Sequence, residues 1–380
     1  MTPRPVFVFL LASAGACATA TSGARFNPVP PALPFATETL LAEQVRRGVT
    51  YWYIRSASGP WAIHVLDVDR SACYSAVAVK GAKGAVGRAT TSALLARLDS
   101  SFDVVGGVNA DFFFFTPPGL PTNAHVSGGR LLSGPNAHPV IAFDSAGVPR
   151  ITTLRVTGTV ALGARAFPID AWNRRAPDSV SLVDANWGGA TDTASGTLEL
   201  VLDRDRRLVQ VDTARTGVDI PDGGSVIIAS GLVGESMRFA ATSLRVGALV
   251  DARVSLAPHP MEAVGGRPVL VRDSVVTAPA SNVRHPRTAV GIGRKGTRLL
   301  LVVVDGRQAP HSDGMTLREL ADVMLALGAR DALNLDGGGS SAMVLADPAA
   351  GGALRLVNRP SDTAGERPVG NALAIVSRCH

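Results

Sequence analysis

The stretch ALNLDGGGSSAMVL, residues 332–345, encloses one acid, three glycines and two serines between apolar runs. Asp336 stands where the first run ends. Gly337, Gly338 and Gly339 leave backbone N–H groups open to a ligand, and Ser340 and Ser341 add hydroxyl donors. A second acid, Asp305, ends the run LLLVVV and is followed by Gly306 and Arg307. Carboxylates so placed can serve as nucleophile, general base or metal ligand. Arg284-His285-Pro286-Arg287-Thr288 carries two guanidinium forks, a shape that suits phosphate or carboxylate groups. Asn109-Ala110-Asp111 sets an amide and a carboxylate beside four phenylalanines, and His311 adds an imidazole near the end of the Asp305 run. The glycine run lacks the lysine of a nucleotide P-loop and the Gly-x-Ser-x-Gly pattern of a hydrolase elbow. Read locally, it is equally a glycine-rich hairpin whose aspartate orders the turn.

For these groups to cooperate, the chain must bring them to one place. Residues 299–304 are continuously apolar, as in a strand buried on both faces. Thr316 and Glu319 have capping-box spacing, Leu317, Leu320, Met324 and Leu327 fall on one helical face, and Gly328 suits the helix end. Leu333 and Leu335 then begin another strand. A strand, helix, strand unit of this length predicts a parallel crossover, so that both strands finish on one sheet edge. Asp305 and Asp336 then lie about 5 Å apart on neighbouring strands, or about 10 Å with one strand between them. Residues 51–54 and 61–68 read as strands about the turn Ser58-Gly59-Pro60, and residues 91–98 as a short helix. Residues 150–274 alternate short apolar runs with turns and show little helical periodicity, which predicts β structure.

Hydrophobic residues make up 46% of the 380 and charged residues 18%, a folded composition large enough for one big domain or two. The formal charge of +6 is spread along the chain without a basic block, so nucleic acid is not an expected partner. The N-terminus, MTPRPVFVFLLASAGACATA, has one arginine, an apolar run too short for a lasting membrane span, and then small residues, the pattern of an export signal. Ala16-Cys17-Ala18 fits an ordinary cleavage site, whereas Ala14-Gly15-Ala16-Cys17 resembles a lipobox, and the reading leans towards the lipoprotein. The expectation is an exported protein, periplasmic or in the outer cell envelope, that meets the membrane only through a lipid anchor at Cys17. Cys73 and Cys379 remain, either as one disulfide or as two separate thiols.

Seven segments taken in order, GGVNADFF, AVGGRPVLV, RHPRTAVGIG, LLLVVVDGRQ, GMTLRELADVMLALGARDALNLDGGGSSAMVL, VNRPSD and ERPVGNALAIV, resemble the phosphodiester glycosidase family. Ala110-Asp111 departs from the Gly-Gly that commonly follows the asparagine there. The resemblance implies an α+β fold: a mixed, curved β-sheet with a few packed helices and a β-rich insertion. Residues 1–17 are then the signal peptide, 18–50 a linker and N-terminal segment, and 51–380 the glycosidase-like domain, with 151–264 a β-rich subdomain. The implied activity is hydrolysis of a sugar 1-phosphodiester or a related envelope or exopolysaccharide linkage. A departing phosphate is already a weak base, so positive charge around it matters more than a strong acid.

On that basis Asp336 is the leading catalytic carboxylate and Asp305 the second. Arg287 and Arg307 hold the phosphate, helped by Ser340, Ser341 and the N–H groups of Gly337, Gly338 and Gly339. Asn109 meets a sugar hydroxyl or acetamido group, Glu366 orients an arginine, and Asp111, Thr288 and Asn334 complete the substrate contacts. These roles require no cofactor. A divalent cation held by Asp111, Asp305 and Asp336 would instead make a metal-dependent phosphodiesterase that cuts P–O. The remaining alternative is an envelope glycan-binding protein without turnover.

Overall fold

The structure is a computed structural model that describes residues 29–378 apart from 83, 175, 192–196 and 214–216. The export signal at residues 1–17, the anchor cysteine Cys17 and the last cysteine, Cys379, lie outside these residues. Cys73 is disulfide-bonded.

The apolar run in the Arg298–Val304 strand shows why the core is layered. Leu299, Leu301 and Val303 face one side, where they meet Leu66, Val290 and Leu333. Leu300, Val302 and Val304 face the other side and pack with Leu320, Val323 and Met324 of the helix α3, Leu317–Ala326. A strand alternates its side chains with period two, so a sheet covered on both faces needs apolar residues at every position. Each fully buried leucine or valine contributes roughly 1.5–3 kcal/mol.

The first face packs on a second sheet through Val105, Val108, Met343, Leu345, Leu373 and Ile375. The far side of that sheet is covered by Leu94 and Leu95 of helix α1, Thr91–Asp99. The layers are therefore helix, sheet, sheet, helix.

The larger sheet has eight strands in the order Glu38–Arg46, Val49–Ser56, Trp61–Asp69, Arg298–Val304, Arg287–Gly293, Ala329–Asn334, Val269–Arg272 and Val275–Val276. Every neighbouring pair in it is antiparallel. Arg298–Val304 and Ala329–Asn334 do run parallel to each other, but Arg287–Gly293 lies between them and opposes both. Their ends thus share one sheet edge, about 10 Å apart by strand spacing. The crossover helix α3 begins with the capping box of Thr316 and Glu319, and Gly328 follows it with φ +90°. The sheet also begins earlier than residue 51, because Glu38–Arg46 pairs with Val49–Ser56.

The middle of the chain forms a three-stranded and a five-stranded sheet around a separate core that includes Val160, Leu182, Leu200 and Ile227. It also contains a helix, α2, Gly231–Ala241, which the sequence pattern did not announce. Its cap residue Ser230 makes no side-chain capping bond, and Leu232 and Phe239 are 75% and 71% exposed, so the apolar residues do not mark a buried stripe. Among the described residues no helix is long and apolar enough to cross a membrane.

Candidate active site

Asp336 is fixed by both sheets. Leu335 N donates to Thr288 O at 2.8 Å and Asp336 N to Ala110 O at 2.8 Å, which ties the end of one sheet's strand to a loop of the other. Asn109 reinforces this junction. Its Nδ2 donates to Asp336 O at 2.7 Å, and its Oδ1 accepts from Thr288 Oγ1 at 2.8 Å and Ala342 N at 3.1 Å. Asn109 and Thr288 are fully buried. Both were expected to touch substrate, and the structure bonds them to each other and to the Asp336 loop.

The Asp336 side chain is half-buried. Burial pushes its acid up from 3.8 to about 6, against the opposing pull of nearby Ser340, Arg367, the Gly337 amide and Arg267. Ser340 Oγ comes close enough to favour the charged form but falls short of a formed hydrogen bond, since that hydroxyl has no partner of bonding geometry. The Ser341 hydroxyl and Asn334 Oδ1 are likewise buried without a partner, while Asn334 Nδ2 donates to Arg267 O at 2.7 Å. A buried polar atom left unpaired costs about 1–3 kcal/mol, so three of them round one loop mark where a ligand or water would bind.

The glycines make room for cations. Gly338, at φ +63°, lies against the Arg307 guanidinium, and its N–H donates to Pro286 O at 2.9 Å. A Cβ on Gly339 would overlap the Asp362 carboxylate and the Arg367 guanidinium, which are themselves paired by two bonds of 2.8 and 3.0 Å. Arg307 is exposed, holds a left-handed backbone at φ 59° and meets His285 Nδ1 at 3.1 Å. Arg287 lies within its field but bonds Met315 O at 2.8 Å and Val283 O at 3.3 Å. Glu366 lies apart from this cluster in its bonding: it accepts from Ser92 N at the start of α1, and the arginine beside it in sequence is held by Asp362.

Asp305 reaches the same sheet edge but is sealed, at 1% exposure. Its carboxylate accepts from His64 Nε2 at 3.3 Å, His311 Nε2 at 3.0 Å, Asn358 Nδ2 at 3.1 Å and Arg359 N at 3.0 and 3.2 Å. Burial opposes its charge, yet the bonds from His64, His311 and Asn358 overcome that and hold it below the ordinary carboxylate range. Behind the imidazoles stand Tyr51, 2.8 Å from His64 Nδ1, and Arg55, 2.9 Å from His311 Nδ1. Asn358 also donates to Ser341 O at 3.1 Å, so Asp305 braces the serine loop from below. The expected second catalytic carboxylate is thus buried with N–H donors on both oxygens.

Asp111, 1% exposed, is the other acid near Asp336. It accepts from Thr122 Oγ1 at 3.2 Å and Asn123 N at 2.8 Å, and burial pushes it up to about 7. A Cβ on Gly265 would overlap its carboxylate. Among the described residues no three acid, histidine or cysteine side chains gather to hold a metal ion, so Asp111, Asp305 and Asp336 do not form a ligand set. Sequence reasoning assigned no role to Arg267, Asn358, Asp362 or Arg367, although each lies within a segment quoted above. Arg267 and Arg367 each precede a proline, whereas Asn358 and Asp362 flank the run Arg359-Pro360-Ser361. His64 and Tyr51 carried no signal at all.

Comparison with known proteins gives a family and a fold. A family model described as "Phosphodiester glycosidase" matches residues 179–376. Over 64 residues, 17% of this chain, the sequence is 47% identical to the N-acetylglucosamine-1-phosphodiester alpha-N-acetylglucosaminidase of Bos taurus. The matches span about a tenth of the length of the curated relatives, 9% and 12%. A candidate exported protein of Burkholderia pseudomallei has a solved structure similar to this one at TM-score 0.66 and 28% identity, covering 84% of this chain and 74% of that one. A hypothetical protein from Synechocystis shares the fold at TM-score 0.74 and 21% identity, covering 90% of this chain and 64% of that one.

Proposed function

This chain belongs to the phosphodiester glycosidase family, and we propose that it hydrolyses a sugar 1-phosphodiester, with Asp336 as the catalytic carboxylate. The observation that carries the reading is the setting of that one acid. It is half-buried at a strand end, beside the unpaired Ser340 and Ser341 hydroxyls and the unpaired Asn334 Oδ1, with Arg267, Arg307 and Arg367 around the loop. A base poised near neutrality is what general-base catalysis asks for.

In the proposed step, ionised Asp336 takes a proton from water as the oxygen of that water bonds to the sugar C1. The bond from C1 to the bridging oxygen breaks, its electron pair leaves with that oxygen on the phosphate, and Asp336 then releases the proton to solvent. The products are a reducing sugar and a phosphomonoester. Arg307, whose guanidinium lies against Gly338, stabilises the departing charge, with the glycine N–H groups and serine hydroxyls as further donors. Asp305 and Asn109 act only by fixing the loop. N-acetylglucosamine is the first sugar to test, since the printed name of the bovine relative specifies it.

Export to the cell envelope is part of the same proposal, supported by the N-terminal pattern and by the Burkholderia likeness. A screen of sugar 1-phosphodiesters and envelope glycans, following both products, tests the activity. Asp336→Asn should reduce turnover of any accepted substrate by about 10²-fold or more, and near-full turnover by that variant would contradict the assignment.

A further inference from the structure

A second cationic corner lies beside Asp111, which interacts with both Arg267 and Arg174. Arg267 Nη1 donates to Thr122 Oγ1 at 3.0 Å, and its guanidinium stands 4.6 Å from the Phe112 ring centre. Arg174 Nη1 donates to Pro135 O at 3.2 Å. These bonds go to a hydroxyl and a backbone carbonyl, so among the described residues no carboxylate is hydrogen-bonded to either arginine. Between them lies the loop of residues 134–139, held by Asn123. The Asn123 Nδ2 donates to His138 O at 2.7 Å and Pro139 O at 2.9 Å, and its Oδ1 accepts from Asn136 N at 2.8 Å. The Asn123 backbone N–H is the same group that binds Asp111.

Ala137 in this loop sits at φ 54°, a left-handed conformation that alanine adopts only when its surroundings impose it. It presents half-buried His138 next to both arginines. Burial first, then the fields of Arg267 and Arg174, hold that imidazole below its ordinary value. His285 stands in the same relation to Arg307 and Arg287. Twice, therefore, an imidazole is set in the field of two arginines, and Arg267 lies in the field of both Asp111 and Asp336.

We propose that Arg174, Arg267 and His138 form a second anion subsite, which takes an oxyanion group of a polyanionic glycan while its neighbouring linkage lies at Asp336. Asp111 lies in the field of both arginines but is hydrogen-bonded to neither, and two guanidinium forks so left suit a phosphate or carboxylate. Asp111, buried between this corner and Asp336, prevents the two clusters from merging into one. The substrate class is then a chain with negative charge on both sides of the cleaved bond. That class rests on the proposed function, whereas the subsite itself can be tested without turnover.

The test is histidine NMR on the whole protein, with inorganic phosphate as probe at constant ionic strength and signals assigned through His138→Gln and His285→Gln. Phosphate at the subsite should raise the titration midpoint of His138, because a bound anion favours the imidazolium. His285 should respond as well, saturating at a different phosphate concentration. Arg174→Ala should weaken the phosphate response of His138 by roughly tenfold and leave that of His285 in place. Arg267→Ala provides a second variant should the first fail to fold. Glucuronate in place of phosphate identifies which oxyanion is preferred. A His138 signal that ignores phosphate, or a response untouched by both arginine variants, overturns the subsite. Activity lost with the His138 response intact would instead count against the proposed reaction.

Discussion

Replacing Asp336 with Asn should make the protein more stable while it removes turnover. Burial lifts this acid from 3.8 to about 6, so the folded protein holds the proton more tightly than the unfolded chain does. Stability from that proton is fully present below the unfolded value and is lost as pH rises through the folded one. The gap between the two values corresponds to about 3 kcal/mol, and solvent reaching the half-buried carboxyl reduces it to roughly 1–2 kcal/mol. Asp336→Asn carries no such proton. Its advantage over the unsubstituted chain should therefore be absent near pH 4 and open mainly between about pH 4 and 6. The Asp336 charge also helps to raise Asp111, so the substitution lowers that acid somewhat and leaves a smaller further difference up to about pH 7. Urea unfolding at a series of pH values reads the effect as a shift in midpoint at unchanged slope. A variant less stable than the unsubstituted chain at pH 8, or a difference that does not vary with pH, would refute the reasoning.

Asp305→Asn should behave in the opposite way. Its carboxylate is held low by His64, His311 and Asn358 against burial, so its stabilisation is present above the ordinary carboxylate value and lost in acid. The variant should lose about 3–5 kcal/mol at pH 7, with the gap closing as pH falls, as urea unfolding would show. Gly339→Ala should disrupt the Asp362–Arg367 pair that a Cβ would overlap, and initial rates should show a kcat loss of about tenfold or more with little change in the far-UV spectrum. On any accepted substrate, kcat should rise with pH to a plateau through about pH 6 as Asp336 ionises. A rate that falls through this range would assign the group to acid catalysis.

The sequence is most legible where one local rule decides. The run at residues 299–304 reads as a strand covered on both faces because every position is apolar, and the capping residues Thr316 and Glu319 locate α3. That Asp305 and Asp336 finish on one edge follows from the crossover between them. Which of the two opens to solvent does not follow, because the donors that seal Asp305 arrive from Val303's pairing partner His64, from His311, and from Asn358 and Arg359 far along the chain. The strand between the two acids, Arg287–Gly293, precedes both in sequence, and its placement is a long-range choice that local periodicity does not encode. The same holds for Asn109, whose type suggests a ligand contact until Thr288 and Asp336 O are seen to occupy it. Arg267 and Arg367 were visible only as arginines next to prolines, and nothing local distinguishes such residues from solvated loop positions.

The most direct test of the account is hydrolysis of an accepted sugar 1-phosphodiester in isotopically labelled water. Cleavage at C1 by a water that Asp336 activates places the label in the released sugar, and Asp336→Asn forms neither product at an appreciable rate. Label in the phosphomonoester would show attack at phosphorus and contradict the account.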